Sequence, residues 1–184
     1  VDLTGIAYGI NTWDGGLQFT LIDNTGGISV FSFDNTFGYT VTEGDKVNIL
    51  GTISQFNGLT EVEPDTLIFI DGGNTLKTPT EITVLNESTE SDLVSIENSL
   101  TYVDITQWLG DGSSFNVDLT DGTNTYTIRI DDANELSTMP APSNVEPFVL
   151  MVTGLGNQFD SDAPYTSGYQ LFPRYADDIE LITV

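Results

Sequence analysis

The chain has 184 residues and a formal net charge of −24, with 28 Asp and Glu against only Lys46, Lys77, Arg129 and Arg174. It contains neither cysteine nor histidine, which excludes disulfides, thiolate catalysis, Cys-ligated zinc and the commonest general base. The acidic excess repels phosphate backbones over a Debye length of about 10 Å and disfavours nucleic acid as a partner, and no run approaches the roughly 18 apolar residues of a membrane span.

Short alternating apolar and polar runs, separated by Gly, Asn and Asp turns, predict antiparallel β structure throughout. In the first part strands are expected near 3–10, 17–23, 27–33, 46–56 and 59–70. Asn24-Thr-Gly-Gly27 and Phe56-Asn-Gly-Leu59 read as hairpin turns, because Asn and Gly accept positive φ at little cost. Asp71 to Pro79 reads as a linker, followed by a helical turn capped at Asn86 or Ser88. Strands then recur near 93–104, 114–120, 124–131, 147–159 and 168–182, with a second short helix at Asp132–Leu136 ahead of Pro140.

The second series repeats the first. Phe19-Thr-Leu-Ile-Asp23 answers Val117-Asp-Leu-Thr-Asp121, and Gly51-Thr-Ile-Ser-Gln-Phe56 answers Gly154-Leu-Gly-Asn-Gln-Phe159. Pro64 and Pro173 each precede a further apolar strand. Repetition at this spacing divides the chain into two related β modules, residues 1–79 and 80–184. Five strands with a longer connection between the third and fourth is the strand count of the OB-fold, so the expected fold is all-β, two tandem five-stranded Greek-key barrels with short helical turns. Leu76, Ile82, Val84 and Leu85 need cover, which places an interface between the modules around the linker.

Leu17-Gln-Phe-Thr-Leu-Ile-Asp23, Gly44 to Gly58, Gly154-Leu-Gly-Asn-Gln-Phe-Asp160 and Tyr169 to Asp178 together resemble the tandem OB-fold modules of secreted and surface proteins of Bacteroidetes. The resemblance spans nearly the whole chain and implies an extracellular or cell-surface setting beside other domains. That family has no agreed catalytic motif, so it implies no functional residue. A start at Val1 in place of Met fits a mature or excised segment, and the Asn/Thr/Gly-rich, Lys-poor composition fits secretion.

Chemistry-bearing residues are few. The carboxylate pairs Asp131/Asp132, Asp160/Asp162 and Asp177/Asp178 could serve acid–base work if one member were buried, yet they stand in turns where Asp caps its own backbone. No nucleophile elbow, phosphate-binding loop or dinucleotide motif is present, so no enzyme is expected. Calcium is the cation best matched to an oxygen-rich chain, with Asp160 and Asp162 as ligands, although the loop lacks the full acidic pattern of an EF-hand. Trp13 and Trp108 occupy matching places after each module's first strand. There an indole either stacks on a sugar or base, or folds back to plug its barrel. Tyr8, Phe19, Phe31, Phe33, Phe56, Tyr126, Phe148 and Phe159 alternate along strands and are expected in the core. Gln55 and Gln158 are expected to bond loop backbone. Two functions follow as expectations. The first is a non-catalytic extracellular interaction protein that contacts other proteins or copies of itself, assembling head-to-tail into a filament or surface layer. The second is a carbohydrate- or single-stranded nucleic-acid-binding accessory to a secreted hydrolase or nuclease.

Overall fold

The computed structural model describes residues 1–143 and 148–183. The expected start of the fourth strand of the second module, residue 147, and the Phe148 side chain lie outside the described residues. The first module comprises β1 (Asp2–Tyr8), β2 (Leu17–Ile22), β3 (Gly27–Ser32), β4 (Lys46–Phe56) and β5 (Leu59–Asp71). They close a barrel in the order β1-β2-β3-β5-β4, with β3 and β5 parallel and all other pairs antiparallel. Period-two alternation on each strand sends one set of side chains inward, so Ala7, Leu17, Phe19, Leu21, Val30, Val47, Ile49, Val62 and Leu67 form the core.

The second module repeats this path with β7 (Leu93–Tyr102), β8 (Phe115–Thr120), β9 (Thr125–Ile130), β10 (Phe148–Gln158) and β11 (Tyr169–Phe172). The ring closes through β7–β10, and again, among the described residues, its one parallel contact is between its third and fifth strands, β9 and β11. Two further strands flank it: β6 (Thr80–Glu81) lies parallel to β7, and β12 (Ile179–Thr183) lies antiparallel to β10. In the first barrel β5 runs on past Pro64 through a register shift opposite Leu50 and Gly51. The expected strand at 168–182 is instead broken from Pro173 onward into β11 and β12, with a 3-10 turn at Ala176–Asp178 between them. Proline removes the ladder donor in both cases, and in the second barrel Asp178 turns back to accept from the Arg174 backbone N–H at 2.7 Å, which holds the break open. A Cβ at Gly51 or Gly154 would collide with the carbonyl of Glu63 or Phe172, so both irregularities sit over a glycine.

The helical turns at the two expected places are 3-10 and short. Asn86 caps Glu87–Thr89, and Asn134 caps Glu135–Thr138. A third, Ile105–Gln107, is capped by Asp104 and was not expected.

The barrels share a core of their own. Tyr8, Ile22, Leu93 and Leu155 are buried together, with Ile6, Leu76 and Phe172 packed around them, and side chains of this kind contribute about 1.5–3 kcal/mol each when fully buried. Polar groups finish the joint. Arg174 bonds Glu43 of the first module at 2.9 Å while its other guanidinium nitrogens hold Asp178 at 2.8 and 2.9 Å. Lys77 pairs with Asp92, and its backbone N–H donates to the Tyr8 hydroxyl at 2.7 Å. Leu76 gains the expected cover at the interface between the modules, whereas Ile82 and Leu85 pack on the second barrel's own core and Val84 remains 53% exposed.

Candidate functional site

Outward-facing positions of the second barrel are polar because the inward positions alternate with them. On β8 and β9 this puts Asn116, Thr127 and Arg129 on one surface, and neighbouring strands add Asn157 and Gln170. The tip of the β4–β5 hairpin and the β10–β11 loop rise beside that surface and enclose a groove of about 460 Å³. Phe56 and Phe159 lie edge-to-face at 6.3 Å on its rim, 57% and 58% exposed. The backbone N–H of Asp160 donates to the carbonyl of Asn57 at 2.6 Å, tying the two hairpins into one wall.

The floor of this groove is rich in amides. Gln170 donates to Asn157 at 3.1 Å, and Arg129 reaches Asn116 at 3.4 Å with no ion pair among the described residues. Burial holds the nearby Asp131 carboxyl above the usual range, against the opposing pull of the Ala133 N–H and of Arg129. Amides that donate and accept, one cation and an aromatic rim are complementary to hydroxyl-rich or carboxylate-bearing ligands.

Neither tryptophan stands free. Trp108 is 8% exposed, boxed by Phe115 at 5.2 Å and Tyr102 at 6.4 Å, and its indole N–H donates to the Met139 carbonyl at 2.8 Å. It closes its own barrel and offers no open ring face. Trp13 is half-buried, donates to the Phe33 carbonyl at 2.7 Å and lies 5.7 Å from the Phe33 ring and 6.0 Å from Phe31. The aromatic assignment also needs correction elsewhere. Phe33, Phe56 and Phe159 are 67%, 57% and 58% exposed, because the first lies just past the end of β3 and the other two at hairpin tips, beyond the reach of either barrel interior.

Asp160 braces its own loop. Its carboxylate accepts from the backbone N–H and hydroxyl of Ser167 at 3.0 and 2.8 Å and from the Asp162 N–H at 3.1 Å, bonds that draw its pKa below the usual range. Asp162 accepts through its backbone carbonyl from the Tyr165 N–H. No cluster of three acidic groups converges among the described residues. The same economy recurs at Asp23, which accepts from Thr25, and at Asp121, pulled down to about 2 by the N–H groups of Asn124 and Thr123. Gln55 and Gln158 bond loop carbonyls as expected, at Gly58 and at Tyr165 and Ser167. Asp178 is committed to Arg174.

Of the groove residues, Phe56, Asn157 and Phe159 belong to the repeated Gly-x-x-x-Gln-Phe phrase, while Asn116, Arg129 and Gln170 carry no motif. The strand alternation marks some of them as outward, but only the joint between barrels brings them together.

No family model matches the chain, and no curated protein matches it. Among solved structures it is similar to a murine DNA-binding protein bound to double-stranded DNA, at 11% identity and a TM-score of 0.41 over the full length of both chains. It is also similar, at 11% identity and a TM-score of 0.36, to a chain reported under "Structural mimicry for functional antagonism", with 98% of this chain and 91% of that one covered. Likeness at this level bears on neither function nor ligand.

Proposed function

We propose that the chain is a non-catalytic extracellular interaction protein that works through protein–protein contacts and associates with its own copies head to tail. One observation carries the reading. On the outer face of the β4–β5 ribbon Leu50, Ile68 and Ile70 are between 41% and 56% exposed. A chain of net charge −24 has ample polar residues to cover a strand, and an apolar ribbon left in solvent marks a contact surface. The rigid joint between the barrels supports it further, since propagation requires a unit that holds its shape, and a contact between two different surfaces continues from copy to copy. The Cys-free, Lys-poor, Asn/Thr/Gly-rich composition supports an extracellular setting.

Sedimentation velocity and electron microscopy across a concentration and salt series test the reading. Association is expected to rise with salt, as like-charge repulsion is screened, and to be lost in the double variant Ile68→Asp, Ile70→Asp. Monomers at every concentration and salt would overturn it.

The amide-lined groove favours a second reading, a carbohydrate-binding accessory. It would bind glycans at Arg129, Asn116 and Gln170, with Phe56 and Phe159 on the rim and the tryptophans uninvolved. A glycan array on wild type and Arg129→Ala distinguishes the two, because self-association predicts no glycan signal in either.

A further inference from the structure

Because the barrels share one path, each position in the first has a counterpart in the second. Leu3 lies opposite Ile49 as Ile96 lies opposite Val152, and Leu21 pairs with Ile28 as Leu119 pairs with Tyr126. The glycines Gly51 and Gly154 mark the same bend, which makes Ile53 the counterpart of Gly156.

At the lower end of the second barrel this surface is covered. Thr80 and Glu81 pair in parallel with Val94 and Ser95, and the Ile82 N–H continues the ladder to the Ser95 carbonyl at 2.9 Å. The Thr83 carbonyl accepts from the Tyr126 hydroxyl at 2.8 Å. Ile82 and Leu85 then pack onto the core. The chain next turns across Gly156, which is so close to the Thr89 carbonyl that no Cβ would fit.

In the first barrel the same place is open. A groove of about 270 Å³ is lined by Leu3, Thr4, Leu21, Ile28 and Ile53, with the Asp23–Gly27 turn on its rim. Between Asp2 and Gly5, β1 pairs with β4 on one side only, so its other edge has unpaired backbone groups. Ile53, where the second barrel has a glycine under a turn, is 44% exposed. One end is closed by the Ser91 carbonyl, which lies over Gly27.

We propose that this groove is a strand-addition site for an extended peptide segment of a partner protein, running parallel to β1 and seating two aliphatic anchors three residues apart, as Ile82 and Leu85 are seated on the second barrel. Main-chain bonds to the free edge supply affinity, and the groove between Leu3, Ile28 and Ile53 selects the anchors. The charge of the chain favours a segment with neutral or basic flanks over an acidic one. The inference rests on the reading of the chain as an interaction protein.

The test is a titration of the full chain with a capped synthetic peptide bearing the sequence of residues 80–86 plus a C-terminal lysine, followed by methyl NMR under conditions where sedimentation shows monomer. Saturable shifts are expected at the Leu3, Leu21, Ile28 and Ile53 methyls, with Ile82 and Leu85 unmoved. Changing either aliphatic anchor of the peptide to Asp, or the protein by Ile53→Asp, should weaken binding by about tenfold or more. No shift up to millimolar peptide, shifts confined to Ile82 and Leu85 through exchange with the chain's own segment, or full affinity in Ile53→Asp would each overturn the proposal. Self-association is read separately by sedimentation of the peptide-free chain, so a failure here is distinguishable from a failure of that reading.

Discussion

Glu61 on β5 lies between Ser29 on β3 and Ser54 on β4 and is only 3% exposed. Burial pushes its carboxyl from an ordinary 4.5 up to about 7, helped by the charge of Glu63 and opposed by a hydrogen bond from Ser29. The second barrel has a neutral amide at the corresponding place, Gln170 flanked by Thr127 and Asn157. The folded protein therefore binds this proton more tightly than the unfolded chain does. The associated stabilisation is complete below about pH 4.5 and is lost as pH rises through about 7. A displacement from 4.5 to about 7 corresponds to about 3 kcal/mol, taken as an upper bound because local relaxation and water entry soften the cost of burying a charge. Glu61→Gln keeps the shape and removes the ionisation. Urea unfolding followed by tryptophan fluorescence, from pH 4.5 to 8.5 at fixed ionic strength, should show wild type and variant close together at the acid end. The variant should then become more stable by about 2–3 kcal/mol at pH 8. The remaining carboxylates also repel one another more strongly as pH rises, but that background is common to both proteins and cancels in the difference. A gap that stays constant across pH, or a wild type more stable than the variant at pH 8, would refute the reasoning.

Three further outcomes are expected. Arg174→Met removes the cation that joins Glu43 to Asp178, whose side chains are 15% and 8% exposed, and should cost about 3–5 kcal/mol in urea unfolding because two carboxylates stay buried without a partner; a loss under about 1 kcal/mol would show that water replaces the guanidinium. Trp108→Ala should cost about 3–5 kcal/mol as a large core truncation, and half-buried Trp13 about 1–2 kcal/mol, so equal costs would contradict their different burial. Calcium added at constant ionic strength should leave the thermal midpoint unchanged, since Asp160 already spends its carboxylate on Ser167 and Asp162; saturable calcium binding that disappears in the Asp160→Asn, Asp162→Asn double variant would establish a site there instead.

The two-barrel fold was legible from residue order because its causes are local and repeated. Strand alternation, Asn/Gly turns and the Gly-x-x-x-Gln-Phe phrase act through neighbouring residues, and each appears twice in the chain. The alternation carried the expected strands straight through Pro64 and Pro173, and the break in the second barrel was decided by Asp178 folding back on Arg174, a bond no local pattern encodes. Burial of individual aromatics was legible only in part: Tyr8 at the end of β1 is buried, whereas Phe31 in mid-strand on β3 is only half-buried. Phe19 and Tyr126 are buried, whereas Phe33, Phe56 and Phe159 follow the same apolar alternation beyond the ends of the barrels and point into solvent. Strand alternation marks single groove residues as outward, but neither the amide groove nor the open strand edge was legible as a site. The groove exists because Tyr8, Ile22, Leu93 and Leu155 lock the barrels at one orientation, bringing Phe56 beside Phe159 across a separation of about one hundred residues. The open edge exists because the segment at Thr80–Leu85 covers one barrel and not the other. Repetition in sequence predicts equal barrels, and the asymmetry between them arises only when the connecting chain chooses which of two like surfaces to cover.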